Sequence, residues 1–222
     1  MIDPSRTVAE LVLEQPSRAR VFDELGVDYC CGGKRSLHEA CEARGVDVQA
    51  AVSALGAAVD EPAGETERNW AEVPLVELCD HIVAAHHDRL REELPRLDGL
   101  LEKVVRAHGA ERPELAEIRE TFTALRAELE EHMTTEEEDL FPLVARGGPY
   151  DESQVAELEH EHEFAGSSLA RLRELSGGYD LDRALCNTHR ATIDGLRELE
   201  LDLHQHIHEE NNILFPRALT AA

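Results

Sequence analysis

One pattern occurs twice in this chain. His132, Glu136 and Leu140-Phe141-Pro142 recur as His206, Glu210 and Leu214-Phe215-Pro216, each 74 positions on, so both copies read H-x3-E-x3-L-F-P. Positions four apart share one face of a helix. Each copy therefore sets an imidazole beside a carboxylate, about one turn apart. Apolar residues continue the same face at three- and four-residue spacing. Phe122, Leu125, Leu129, Leu140 and Leu143 flank the first pair, and Leu196, Leu199, Leu203, Ile213 and Leu214 flank the second. The polar pairs thus point into an apolar core, where such groups are costly unless paired or bound to metal. A fold that brings these stripes together is all-α and encloses a metal site.

Composition agrees with helix and narrows the partners. Ala, Leu and Glu dominate, hydrophobic residues reach 42% and aromatics only 4%, which suits helices around a real core. A net charge of −25 argues against nucleic acid or an anionic membrane as partner; the acidic surface serves solvation and draws cations. No apolar run approaches the roughly 20 residues a membrane span needs. The opening Met1-Ile2-Asp3-Pro4-Ser5 lacks the basic and apolar segments of a leader. Five cysteines at irregular spacing argue against a disulfide framework. These features lead us to expect a cytoplasmic protein with reduced thiols.

The chain divides into residues 1–58, a linker at 59–72 and a larger domain at 73–222. In the first part, Thr7-x-x-Glu10 and Ser36-x-x-Glu39 read as capping boxes. Pro16 should end the first helix, a Gly-bearing loop follows Asp28, and a last helix should follow Asp47. The stretch 60–69 is charged, with Pro and Gly and no apolar period. The larger domain reads as four long helices with short loops, an up-down antiparallel four-helix bundle. They are expected from Pro74 (as first helical residue) toward His108 with a kink at Pro95, from Pro113 to Gly147-Gly148, from Asp151 to Gly177-Gly178, and from Asp180 to Leu219.

Helical phase sorts the twelve histidines. His162 lies in a stripe with Leu158, Ala165, Leu169 and Leu172, and His87 in a matching stripe with Val83, Leu90, Leu94 and Leu97. Spacing alone leaves His86 open, because it pairs with His160 as His87 pairs with His162; phase favours His87 and His162. His204 and His208 lie two residues from His206 and project away from its face. His38, His81, His108 and His189 have no counterpart in the repeat and read as surface or structural histidines. Six inward groups remain: His87, His132, Glu136, His162, His206 and Glu210. Buried His–Glu hydrogen bonds would be a purely structural use of them. Six donors are too many for one tetrahedral zinc. Imidazole suits iron and carboxylates bridge cations, so two irons with Glu136 and Glu210 bridging is the economical arrangement. The Glu-x-x-His signature of ferritin-type bundles is missing at these positions.

With these residues assembled, the chain resembles the repair-of-iron-centres (ScdA-type) family of di-iron proteins over essentially its whole length. Asp28-Tyr29-Cys30-Cys31-Gly32-Gly33 resembles that family's N-terminal domain. His87-Asp88-Arg89, His132-x3-Glu136, Glu161-His162-Glu163 and His206-x3-Glu210-Asn211-Asn212 resemble its hemerythrin-like domain. The resemblance implies a carboxylate-bridged pair of non-haem irons on the six residues above. It also implies repair of iron–sulfur clusters damaged by oxidative or nitrosative stress, with the damaged cluster proteins as partners and iron donation as mechanism.

Cys30 and Cys31 are the candidate transfer pair, since thiolates ligate iron well; the plain alternative is a tight turn holding two small residues. Glu128, one turn before His132, and Glu161, next to His162, are candidates for an iron path or for hydrogen bonds to the ligands; surface solvation is the default for both. Cys79 reads as core, and Cys41 and Cys186 carry no signal. Two rival functions remain: an enzyme that binds and reduces nitric oxide at the irons, and an oxygen- or NO-sensing binding protein. The oligomeric state, a homodimer included, is left open.

Overall fold

The protein, here as a computed structural model, is described for residues 2–58, 70–147 and 150–220; the expected linker stretch 60–69 and Gly148 lie outside the described residues. Apart from one isolated bridge pairing Thr7 with Ser36, the regular structure among the described residues is helical. Four short helices come first: α1 Val8–Glu14, α2 Arg18–Leu25, α3 Leu37–Arg44 and α4 Val48–Ala58. Both expected capping boxes form, with Thr7 Oγ1 accepting from the Glu10 N–H and Ser36 Oγ from that of Glu39. The bridge joins these two caps, so α1 and α3 start side by side. Leu11, Phe22, Tyr29, Leu37, Cys41 and Leu55 fill this unit's own core.

Four rods follow. The first is α5 Leu75–Ile82, a π turn Val83–His87 and α6 Asp88–His108; the second is α7 Glu114–Thr135, a π turn Glu136–Leu140 and α8 Phe141–Ala145. The third is the single helix α9 Glu152–Leu175. The fourth is α10 Asn187–Glu209, a π turn Glu210–Leu214 and α11 Phe215–Thr220. Two apolar layers stack along the rods. One holds Leu90, Leu94, Leu97, Phe122, Leu125, Leu129, Leu169, Leu172, Leu196 and Leu203. The other holds Leu78, Ile82, Leu140, Val155, Leu158, Leu214 and Phe215. The first and third rods enter the second layer before the first layer; the second and fourth run the other way.

Two boundaries differ from expectation. Pro74 is the cap rather than the first helical residue, because its ψ of 140° is extended and the helix starts at Leu75. The fourth rod starts at Asn187, not Asp180. Asp180 caps only the short 3-10 turn Leu181–Arg183, and the helix waits for Cys186, whose sulfur accepts from the His189 N–H. Cys186 thus has a capping role that its sequence context did not signal. Pro95 sits inside α6 without ending it.

The π turns were not foreseen either. In each, an N–H reaches the carbonyl five residues back: Asp88 to Val83, Phe141 to Glu136 and Phe215 to Glu210. Pro142 and Pro216 come next. A proline has no N–H and presses its ring against the carbonyl four residues back, and the wider turn accommodates both defects. Such turns gather at functional sites, and here they surround the layer between the two apolar cores.

Candidate metal centre

That layer holds the six residues chosen by phase, all buried, with Glu136, Glu210 and His87 fully so. Two donor sets share Glu210. His87, Glu136, His206 and Glu210 each offer an atom within 4.8 Å of the others, and so do His132, His162 and Glu210. Within the first set His206 Nε2 lies 2.8 Å from Glu210 Oε1 and His87 Nε2 lies 3.4 Å from Glu136 Oε2. Within the second, His162 Nε2 is 3.1 Å from Glu210 Oε2, and His132 Nε2 is 3.4 Å from that same Glu136 oxygen. Both carboxylates therefore face both sets.

Hydrogen bonds behind the rings set the tautomers of three of the four imidazoles. His87 Nδ1 pairs with Glu137 at 2.7 Å, His132 Nδ1 with Glu161 at 2.7 Å and His162 Nδ1 with Asn211 at 2.8 Å. A ring whose Nδ1–H is donated outward presents an Nε2 lone pair inward. Yet the Nε2 atoms of His132 and His162 stand 3.2 Å apart, as do those of His87 and His206. Two lone pairs so close repel unless a cation lies between them. Both Glu136 oxygens and Glu210 Oε2 are buried without a hydrogen-bond partner, a costly state for a carboxylate. The donor set therefore fits metal.

Without metal, protons take that role. Burial opposes charge on His132, but Glu136, Glu161 and Glu210 overcome it and raise its pKa well above the usual histidine range. Burial would raise Glu210, yet the imidazoles of His206, His132 and His162 hold it well below the usual carboxylate range. His206, wholly enclosed, is lowered by burial. Glu161 is lowered by its bond to His132, so it stays ionised. Metal uptake displaces the ligand protons.

The motif phenylalanines complete the layer. Phe141 stacks on His87 and Phe215 on His162, both at 5.9 Å between centroids. A narrow cavity lined by Glu128, Leu129, Glu161, Ala165, Leu203 and Ile207 leads to His132, His162 and His206. It brings Glu128 and Glu161 to these histidines, and Glu161 also makes a hydrogen bond to His132 rather than being merely solvated.

The N-terminal unit seats beside this layer. His204 Nδ1 meets Asp23 at 2.7 Å, and His208 Nδ1 donates to the Tyr29 carbonyl at 3.2 Å. These two histidines point away from the pair, as phase indicates, and hold the small unit instead. Asn212 Nδ2 donates to the Cys30 carbonyl at 3.0 Å, and a Cβ on Gly33 would collide with Asn212 Oδ1. Cys31 Sγ lies 3.7 Å from the His162 carbonyl. The Cys30 thiol is pushed up by the neighbouring Cys31 thiol, then by burial, and both cysteines are unbridged. His189 accepts from the Leu185 N–H at 3.2 Å, a satisfied structural histidine. Cys79 is core, as read.

Sequence reasoning missed Glu137 and the roles of Asn211 and Asn212, which it carried only as part of a motif. Glu137 stands in the run Glu136–Asp139, where nothing in the residue types separates a hydrogen-bond partner from a surface acid. His86, which phase separates from the pair, is nonetheless buried, at 3% exposure. Its ring lies parallel to that of His206 at 5.1 Å.

A layer of four imidazoles and two shared carboxylates inside a helical domain defines a hemerythrin-type cation-binding protein. The family model described as "Hemerythrin HHE cation binding domain" matches residues 80–218, and a model described as a domain of unknown function, ScdA_N, matches residues 4–59. The chain is 36% identical to the iron-sulfur cluster repair protein YtfE of Pectobacterium carotovorum subsp. carotovorum (strain PC1), over 96% of each chain. It is also 36% identical to the proteins of that name from Yersinia pseudotuberculosis serotype IB, over 97% of each, and Escherichia coli O17:K52:H18, over 96% of each. This chain belongs to the hemerythrin HHE family and is similar over nearly its whole length to these relatives.

Proposed function

We propose that this protein repairs iron–sulfur clusters damaged by oxidative or nitrosative stress, acting as an iron donor on damaged cluster proteins. The observation that carries the reading is the pair of buried donor sets sharing Glu210, with buried carboxylate oxygens that make no hydrogen bond. His87 and His206 would hold one iron, His132 and His162 the other, with Glu136 and Glu210 bridging. Bound there, the pair supplies redox-active, exchangeable iron. The names of the relatives support the repair role.

The chain's own residues support delivery. Glu137, Glu161 and Asn211 orient the imidazoles, and Glu128 and Glu161 line an acidic approach to His132. The contact of Cys31 with the His162 carbonyl supports Cys30 and Cys31 as the receiving pair; receipt of iron at Cys30 requires loss of its thiol proton. We read the helical domain as an up-down antiparallel bundle spanning 73–222. The alternating order in which the rods cross the two apolar layers supports this. The separate core of residues 1–58 supports a two-unit division with 59–72 as connector. The unbridged cysteines suit a reducing cytoplasm, and no helix among the described residues is long and apolar enough to cross a membrane.

The test is anaerobic recovery of an NO-damaged [4Fe–4S] dehydratase, with the reduced, iron-loaded protein as the sole iron source. Recovery is expected with the wild type and not with the Cys30→Ala/Cys31→Ala double variant. Failure of the wild type despite two bound irons would overturn donation and turn attention to NO chemistry at the pair.

A further inference from the structure

A second group of donors stands beside the pair. His81 Nε2 lies 3.3 Å from Glu209 Oε2, and His86 Nε2 lies 3.6 Å from the same oxygen. All three atoms are buried and have no hydrogen-bond partner, while the side chains of His86 and Glu209 are each only 4% exposed. The outer atoms of these two are occupied. His86 Nδ1 pairs with Asp202 Oδ1 at 3.2 Å, and Glu209 Oε1 accepts from Gln205 Nε2 at 3.2 Å. A carboxylate behind an imidazole is the usual support of a metal-bound histidine. Donors bound at 2.0–2.2 Å around a tetrahedral ion are separated by roughly 3.3–3.6 Å, which is the spacing of Glu209 Oε2 from each imidazole, and all three atoms lie within 4.8 Å of one another. His81 is 26% exposed and is backed by the Trp70 indole, stacked at 4.0 Å. It therefore forms the solvent side of the group.

We propose that His81, His86 and Glu209 form a separate mononuclear site for a divalent transition-metal ion, open to solvent past His81. Two imidazoles and one carboxylate suit Fe2+, Co2+ or Zn2+, leaving the remaining positions to water. Sequence neighbours thus serve different ions: His86 and His87 at the first π turn, Glu209 and Glu210 at the last. The site rests on its own residues and does not depend on which metal the pair holds. The rival description is a metal-free imidazolium at His86, shared by Asp202 and Glu209.

The experiment is an anaerobic Co2+ titration of the metal-free full-length chain, read by visible absorption, with crystals of the loaded protein measured at the cobalt edge. The wild type should take three equivalents and show an anomalous peak between His81, His86 and Glu209. His81→Ala and Glu209→Gln should each lose that equivalent and peak, with unchanged far-UV circular dichroism. His132→Ala should keep that peak while losing cobalt from the pair, which separates this site from the paired centre. Wild-type saturation without a peak at the three residues would overturn the proposal and leave the imidazolium. Retention of that peak at full strength in both His81→Ala and Glu209→Gln would overturn it equally.

Discussion

The two halves of the repeat place the same atoms in the same layer but support them differently. In each half, the residue after the shared carboxylate reaches back to a histidine Nδ1: Glu137 to His87 and Asn211 to His162. One is a carboxylate and the other an amide. The residue before the lone histidine diverges further. Glu161, before His162, pairs with His132 Nδ1. His86, before His87, instead lies flat against His206, whose Nδ1 has no partner. A carboxylate behind an imidazole makes it a stronger base than an amide does. Each proposed iron would therefore have one carboxylate-backed histidine and one that is not. The halves share geometry because helical phase sets it. They differ in electrostatics because the partner behind each ring is an independent choice.

That comparison can be broken at its shared point. Glu210→Ala removes the carboxylate common to both donor sets and should lower bound iron by two equivalents relative to the wild type, measured by elemental analysis. A loss of only one equivalent would mean that the halves bind independently. Next comes the carboxylate–amide contrast. Glu137→Ala should weaken iron binding about 10–100-fold, the usual cost of losing a partner behind a ligand, and Asn211→Ala should cost distinctly less. Competition with a chromogenic chelator reads both, and equal losses would make the contrast irrelevant.

Gly33→Ala tests the seating of the N-terminal unit without touching a ligand. Its new Cβ meets Asn212, so about 1–3 kcal/mol of stability should be lost to overpacking. Cluster repair should fall while iron content stays at the wild-type value. Unchanged repair would remove the thiol loop from the transfer route. The smallest effect is expected at Phe215→Leu. It loses the stacked contact with His162, worth about 0.5–1.5 kcal/mol beyond area, or a fall in Tm of roughly 1–6 °C for a chain of this size. Phe141→Leu should match it, because Phe141 does the same for His87.

The fold and the six inward donors were legible in the chain because a helix turns residue spacing into direction. His132 with Glu136, and His206 with Glu210, could only share a face, and the stripes around them had to be buried together. The capping boxes at Thr7 and Ser36 were legible for the same local reason. What sequence could not carry were contacts made across rods. Glu137 and Asn211 become partners of histidines 50 and 49 residues away, and their neighbours in sequence are equally polar; for Glu161 the chain allowed a hydrogen bond but did not name its partner, His132, 29 residues away. The π turns also escaped, since they shift register by one residue while leaving the apolar spacing readable. His81, His86 and Glu209 lie in two rods and share no pattern. Only the close approach of α5 and its π turn to the end of α10 brings their unpartnered atoms together. Sequence by itself determined which faces are buried and which donors line them; packing decided which donors meet, because distance between rods is not encoded in spacing along any one of them.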